Sequence, residues 1–402
     1  MRSQLKVSRK ADSFTESVIR GMTRLASKCG AINLAQGFPD FPCPEELKQA
    51  ASRAIYENHN QYSVTWGSPV LREAIATKVK KYNHIDADPE KNIVVTCGTT
   101  EAMVASQLAL LDPGEEIIIL SPHYENYAPD AIISGAKPRY LELKEEDGFS
   151  LDEEKLKRAF NAKTRGLVLN TPNNPTGKVF TRGELKFLAD LCHDYDAFCF
   201  TDEIYEHILY DGREHISIGS LPSMRNRTVT ISGFSKTYSV TGWRVGYTVA
   251  EENLSDAIKK IHDFLTVGAP HPLQIACAQA LALPESYYSN LRQEYQRKRD
   301  LLLHSLERIG FRCVKPEGAY YIWCDYSRLD SHSDDVKFAT NLVKKHGVAG
   351  VPGSSFYGTN SSSGERRIRF TFSKKTETLE EACSRLEAST PAKSRAPEQY
   401  IG

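Results

Sequence analysis

The stretch NIVVTCGTTEAMVASQLALLDPGEEIIILS, residues 92–121, decides the fold class. Asn92 to Val95 is a short β-branched run that reads as a strand. Cys97-Gly98-Thr99-Thr100 breaks it, and Glu101 to Leu111 then repeats apolar residues at helical spacing. Glu116 to Leu120 is a second apolar run, ended by Ser121-Pro122. A strand, a glycine turn, a helix and another strand in succession mark an α/β domain.

The alternation continues outward. Further strands are expected at Gly166 to Asn170, Ala197 to Thr201, Thr228 to Ile231 and Val245 to Val249, with a helix from Arg182 to Tyr195 between two of them. After Pro284 the character changes to a long charged helix, Tyr287 to Arg308, and strand-like pieces at Tyr320 to Trp323 and Arg367 to Phe370. The expected division is an arm and part of a small domain in residues 1–45, a large domain in 46–284, a small α+β domain in 285–390 and a tail in 391–402. The tail is rich in Pro, Ala and Lys without periodicity, which favours fraying.

The bulk numbers narrow the function classes. A chain of 402 residues with 40% hydrophobic and 25% charged content is an ordinary globular protein. Lys+Arg and Asp+Glu balance at 51 each, so net charge recruits neither nucleic acid nor an anionic membrane surface. The basic start, MRSQLKVSRK, leads into a mixed-charge amphipathic stretch rather than an apolar signal core, and no run is long enough to span a bilayer. The nine cysteines are scattered without a C-x-x-C pair, and the eleven histidines lack metal-ligand spacing. Reduced thiols in a cytoplasmic protein without a metal are expected.

The unusual polar residues sit just past the strands: Gly98, Thr99 and Thr100; Tyr124; Asn170 to Asn174; Asp202 to Tyr205; Ser232 to Lys236. In open α/β sheets ligands bind at the carboxyl ends of the strands, so these segments can converge on one ligand. Lys236, flanked by Gly233, Ser235 and Thr237, reads as a surface charge, a phosphate-binding lysine or a Schiff-base former. A Walker phosphate loop fails because Ser235, not glycine, precedes the lysine. Arg244, eight residues on, offers a planar fork for a phosphate, Ser232 and Ser235 add donors, and the turn at Gly98 adds a helix N-terminus. Asp202 closes a strand, and such an acid, if buried, needs a cation to stay ionised. Glu203 beside it is expected to face elsewhere, and Asn174 sits in a turn of Asn, Pro and Gly.

These segments together resemble a fold-type I pyridoxal-phosphate enzyme of the class I aminotransferase family, in the branch with kynurenine, methionine and prokaryotic aspartate aminotransferases. Ser232-Gly233-Phe234-Ser235-Lys236 with Thr241-Gly242-Trp243-Arg244-Val245-Gly246 is similar to the family's cofactor-lysine motif. Asn173-Asn174-Pro175-Thr176-Gly177 and Thr201-Asp202-Glu203-Ile204-Tyr205 resemble its two other hallmark segments in the expected order, and Gln36-Gly37-Phe38-Pro39-Asp40-Phe41, Asn60-Gln61-Tyr62 with Gly67, Gly98-Thr99-Thr100-Glu101-Ala102 and Ile368-Arg369-Phe370 complete the set.

The resemblance implies a large domain with a mostly parallel central sheet sandwiched by helices, a smaller α+β domain, and pyridoxal 5'-phosphate as cofactor. It implies that Lys236 carries the cofactor as a Schiff base and moves the proton, and that Asp202 pairs with the pyridine nitrogen. Asn174 and Tyr205 would bond the phenolic oxygen and Tyr124 would stack on the ring. Gly98, Thr99, Thr100, Ser232, Ser235 and Arg244 would bind the phosphate, with Gly233 standing where the family often has serine. Tyr62 would reach the phosphate of a neighbouring subunit, making a homodimer. Arg369 would clamp the substrate α-carboxylate, with Gly37, Phe38 and Asn174 around it; Arg366 and Arg367 read as solvated charges.

The implied side-chain lining is Phe38, Tyr62, Trp66, His123, Tyr124 and His271, with no second arginine securely placed. That favours a neutral or aromatic L-amino acid as donor and 2-oxoglutarate or another 2-oxo acid as acceptor, in ping-pong half-reactions. The rival readings are another reaction on the same cofactor (cysteine-conjugate β-elimination, aminocyclopropane-carboxylate formation or amino-acid oxidation) and a non-enzymatic ligand sensor. The stretch before Gly37 is too short for a winged helix in addition to the arm, which disfavours the sensor.

Overall fold

Among the residues described by the structure, a computed structural model covering 7–358 and 361–388, the central element is a seven-stranded sheet. Its strands in chain order are β1 (Ile93–Thr96), β2 (Glu116–Ser121), β3 (Lys137–Glu142), β4 (Thr164–Asn170), β5 (Phe198–Asp202), β6 (Thr228–Gly233) and β7 (Gly246–Val249). They lie in the order β1-β7-β6-β5-β4-β2-β3. β7 runs antiparallel to both of its neighbours, β1 and β6. The other pairings are parallel.

Side-chain alternation explains the near-continuous apolar runs. Ile118 and Leu120 of β2 enter one buried cluster with Leu167, Leu169, Leu185 and Leu188. Ile117 and Ile119 enter the cluster on the opposite face, with Val168, Phe200, Ala102 and Met103. A strand covered on both faces cannot alternate apolar and polar residues, so it reads as solid hydrophobic sequence. The edge strand β3 was not expected from sequence. Its Lys137, Arg139 and Tyr140 are exposed, and its Pro138 and charges are the composition of a protected edge.

A second, four-stranded antiparallel sheet combines Arg312–Val314, Tyr321–Asp325, Val351–Pro352 and Arg367–Thr371. The long helix, Glu285–Ile309, precedes it and stops at Gly310 in the left-handed region. The short strand Ile32–Asn33, which follows the helix Val18–Cys29, pairs in parallel with Val348–Ala349. Residues near the start and near the end of the chain are thereby held together. Arg367 differs from expectation: it is ion-paired with Glu145 at 2.7 Å and Asp325 at 3.3 Å. No helix among the described residues is long and apolar enough to cross a membrane. The tail expected in 391–402 lies outside the described residues.

Candidate active site

The carboxyl ends of β4, β5 and β6 open into a cavity of about 370 Å³. Its lining joins Gly37 and Phe38, Thr99 and Thr100, Tyr124, Asn174, Asp202 and Tyr205, Ser235 and Lys236, Arg244, and Arg369. Eight separated stretches of sequence therefore meet at one place, as convergence at the sheet edge requires.

Lys236 follows β6 by one turn of chain. Its Nζ donates to the Gly37 carbonyl at 3.1 Å, an oxygen that also accepts from the Tyr320 hydroxyl at 2.8 Å. Burial, then the positive charges of Arg369 and Arg244, lower its pKa to about 8, against a smaller opposing pull from Asp202. Near neutrality the amine is still charged, but deprotonation is within easy reach.

Asp202 ends β5 with its carboxylate enclosed. The Tyr127 hydroxyl donates to Oδ2 at 2.8 Å and the Ile204 N–H to Oδ1 at 3.1 Å. Burial nevertheless raises its pKa to about 6. Asn170 braces the same strand end, donating to the Asp202 carbonyl at 2.9 Å and accepting from the Asn174 N–H at 2.7 Å. Glu203 points away, into a buried network with His215 at 2.7 Å and Ser217 at 2.8 Å.

The anion-binding end is built from glycine and arginine. Gly98, with φ of 82°, caps the helix Thr99–Leu110, whose first-turn N–H groups are free of intrahelical partners. A Cβ at Gly98 would collide with the Arg244 guanidinium, so glycine lets the two approach. Arg244 is itself in the left-handed region, φ 54°, and among the described residues its guanidinium donates to the carbonyls of Thr241 and Cys97 at 3.2 and 3.3 Å.

Arg369, in the strand Arg367–Thr371, is 1% exposed. One Nη donates to Asn174 Oδ1 at 2.7 Å and the other to the Ala35 carbonyl at 2.5 Å, with the Tyr321 ring 4.1 Å beneath. Tyr205 shares a 2.9 Å hydrogen bond with Tyr321.

The family described as aminotransferase class I and II matches residues 30–386 of the chain. The chain belongs to this family. The aminotransferase is 38% identical over 390 residues to an aromatic-amino-acid aminotransferase 2 of Thermococcus litoralis, covering 95% of this chain and 98% of that protein. It is 34% identical over 409 residues to kynurenine–oxoglutarate transaminase 3 of Bos taurus, covering 95% and 90%. The solved structure of N-succinyldiaminopimelate aminotransferase from Mycobacterium tuberculosis superposes with a TM-score of 0.92 at 35% identity, covering 95% of this chain and all of that one. The aminotransferase is thus an enzyme that moves an amino group from an amino acid to a 2-oxo acid with pyridoxal 5'-phosphate as cofactor.

The residues of this aminotransferase fit that cofactor. An amine with a lowered pKa, a guanidinium at a helix N-terminus and an enclosed acid whose raised pKa a ring cation would relieve share one cavity. Several expectations need correction. Ser232 is not at the cavity; its hydroxyl donates to Glu206 Oε1 at 2.6 Å, because residues inside β6 alternate faces, and Ser235 lines the cavity instead. Glu203, Glu206 and His215 present ligand atoms within 4.8 Å of one another, a cluster the sequence spacing did not show. Lys78, 2.5 Å from Glu206, and Asn83 at 2.7 Å already occupy that carboxylate.

The expected aromatic lining is also revised. Trp66 does not line the cavity; its ring lies 5.9 Å from the Arg72 guanidinium and 5.4 Å from the Lys259 amine. His123 is buried against Tyr140, bonded to Ser121 at 3.0 Å, and burial lowers its pKa to about 4. His271 bonds the Gln61 carbonyl at 3.0 Å away from the cavity, and Tyr62 is 83% exposed. Sequence reasoning missed Tyr127, Tyr321 and Arg20, all of which line it. Tyr127 carried a signal, three residues after Tyr124 at the start of a helix; Arg20 lies on a helix outside the sheet, where strand-end reasoning does not look.

Proposed function

We propose that the aminotransferase takes its amino group from a neutral or aromatic L-amino acid and delivers it to a 2-oxo acid such as 2-oxoglutarate, in two half-reactions at Lys236. The observation that carries this reading is the convergence of Lys236, Asp202, Arg244 and Arg369 on one cavity. When bound, the cofactor supplies an electron sink for negative charge at the substrate α-carbon. Lys236 would hold it, and the lowered pKa of its amine suits it to take and return a proton at the substrate α-carbon.

Asp202 holds the ring nitrogen in its protonated form. Arg244, Ser235, Thr99, Thr100 and the backbone at Gly98 take the phosphate, and Tyr124 covers a ring face. Arg369 receives the α-carboxylate, oriented by Asn174, which with Tyr205 also reaches the cofactor's oxygen. Gly37 and Phe38 close the substrate side. The aromatic and neutral lining by Phe38, Tyr124 and Tyr321 supports the donor class.

We also propose a cytoplasmic homodimer in which Tyr62 completes the partner's phosphate site, and the two-domain division at residues 46–284 and 285–390. The scattered cysteines, without a C-x-x-C pair, support a reducing compartment. The test is absorbance of the purified enzyme while amino acids are added without acceptor. Loss of the cofactor's visible band with one equivalent of 2-oxo acid per subunit is expected; continued turnover without acceptor would mean elimination or oxidation instead. A Lys236→Ala protein that kept a borohydride-reducible cofactor link would refute the lysine assignment.

A further inference from the structure

The loop on the substrate side is held at one position after another. The Ala35 carbonyl accepts from Arg369, the Gly37 carbonyl from Lys236 and Tyr320, and the Phe38 carbonyl from Lys374 Nζ at 2.7 Å. Asp40 ends the series, accepting from the Lys375 N–H at 2.5 Å and the Thr378 hydroxyl at 2.7 Å. Lys374 is the unusual member. It lies between the strand that carries Arg369 and the helix Thr376–Ala388, and it is only 3% exposed. Burial lowers its pKa to about 8, against the pull of Asp40. A buried ammonium ordinarily pairs with a carboxylate. Among the described residues the partners of this one are both on Phe38: the carbonyl and, 4.0 Å away, the centre of the ring. Phe38 lines the cavity, whereas Lys374 stands outside the lining.

We infer that Lys374 is a positioning residue that fixes both the backbone and the ring of Phe38, and through them sets how well the cavity accepts an aromatic side chain. This rests on the transamination reading of the site and deepens its donor class. A methionine would fill the place of Lys374 without a charge held out of water, so packing alone does not account for the ammonium. Its two contacts do. One N–H holds the carbonyl, the cation holds the π face, and the ring is thereby tied to the same strand end that positions Arg369. The groups that orient the substrate's carboxylate and its side chain then move as one unit. Because Met keeps the unbranched stem and removes a charge that burial disfavours, Lys374→Met leaves folding intact.

The test compares the holoenzyme with Lys374→Met, Phe38→Leu and the double variant. For L-phenylalanine, Lys374→Met is expected to raise KM about 10-fold with a smaller change in kcat, and L-alanine, whose side chain is a single methyl, should lose less. Because the lysine acts through Phe38, the double variant should lose no more than the worse single one. Losses that multiply, equal losses for both amino acids, or no loss in Lys374→Met would overturn the assignment. A second series keeps Lys374 and replaces Phe38 with mono-, di- and trifluorinated phenylalanine, whose rings attract a cation less at nearly the same size. Calorimetric affinity for 3-phenylpropionate should fall stepwise along it, and a flat series would overturn the assignment even if Lys374→Met failed to fold. Should the unmodified enzyme transaminate no donor, the functional reading fails, while this binding series still decides Lys374 by itself.

Discussion

Asp202 shows how a single residue ties stability to function. In the folded chain its pKa is raised from 3.8 to about 6, chiefly by burial. A raised carboxyl pKa means the folded state binds its proton more tightly than the unfolded chain does. Its contribution to stability is therefore complete below about pH 4 and is lost as pH rises through about 6. For the cofactor-free protein, Asp202→Asn should remove that part of the pH dependence and raise the Tm at pH 7, since the neutral amide keeps the shape without the buried charge. The same variant should lose about 100-fold or more in turnover, because nothing then holds the ring cation. Thermal melts of the cofactor-free protein from pH 4 to 7, beside turnover of the holoenzyme, check both; a Tm that drops at pH 7 would contradict the argument. Asp202 was legible in the sequence as an acid ending an apolar strand, whereas for Tyr127 the sequence marked a place near Tyr124 but not its bond to Asp202. A tyrosine in an amphipathic helix carries no mark of which hydroxyl partner it finds.

At the scale of elements, the strands buried on both faces were the most legible because solid β-branched runs have few other uses. The edge strand β3 and the direction of Ser232 were hidden, since a polar edge looks like a loop and a serine near a motif does not declare its face. The junction between β7 and the helix Thr99–Leu110 shows what a motif glycine does. A Cβ on Gly246 would stand 2.6 Å from the Gly98 carbonyl carbon and 2.7 Å from the Thr99 nitrogen, so only glycine lets the strand pass this closely under the helix start. Gly246→Ala should push that turn toward the cavity and cost about 1–3 kcal/mol of stability through overpacking. Because the displaced backbone is the phosphate cradle, the variant should lose more affinity for pyridoxal phosphate than for pyridoxal. Titration of the cofactor-free protein with both separates the two effects, and equal losses would mean general damage rather than a local one.

At the scale of the molecule, one chain leaves several large apolar side chains uncovered. Phe264 is 92% exposed, Tyr56 87% and Tyr62 83%. Their segments lie side by side: His262 bonds the Thr65 carbonyl at 2.8 Å, and the rings of His59 and His271 are 5.2 Å apart. Exposed aromatics on neighbouring segments are what the proposed homodimer would cover. The sequence pointed to Tyr62 only through the resemblance, because burial by a second copy leaves no trace in the periodicity of one chain. If Tyr62 serves the partner's site, then Lys236→Ala and Tyr62→Ala subunits should complement each other. In a hybrid dimer both defects fall in the same site and the other site is whole. Random mixing then restores up to about a quarter of the unmodified activity, since half of the dimers are hybrids with one good site each. If Tyr62 instead acts within its own subunit, each hybrid site carries one defect and mixing restores nothing. Phe264→Asp provides the companion measurement: if this exposed ring lies in the proposed dimer contact, the added charge should lower the mass in solution to that of one chain and reduce cofactor affinity with it.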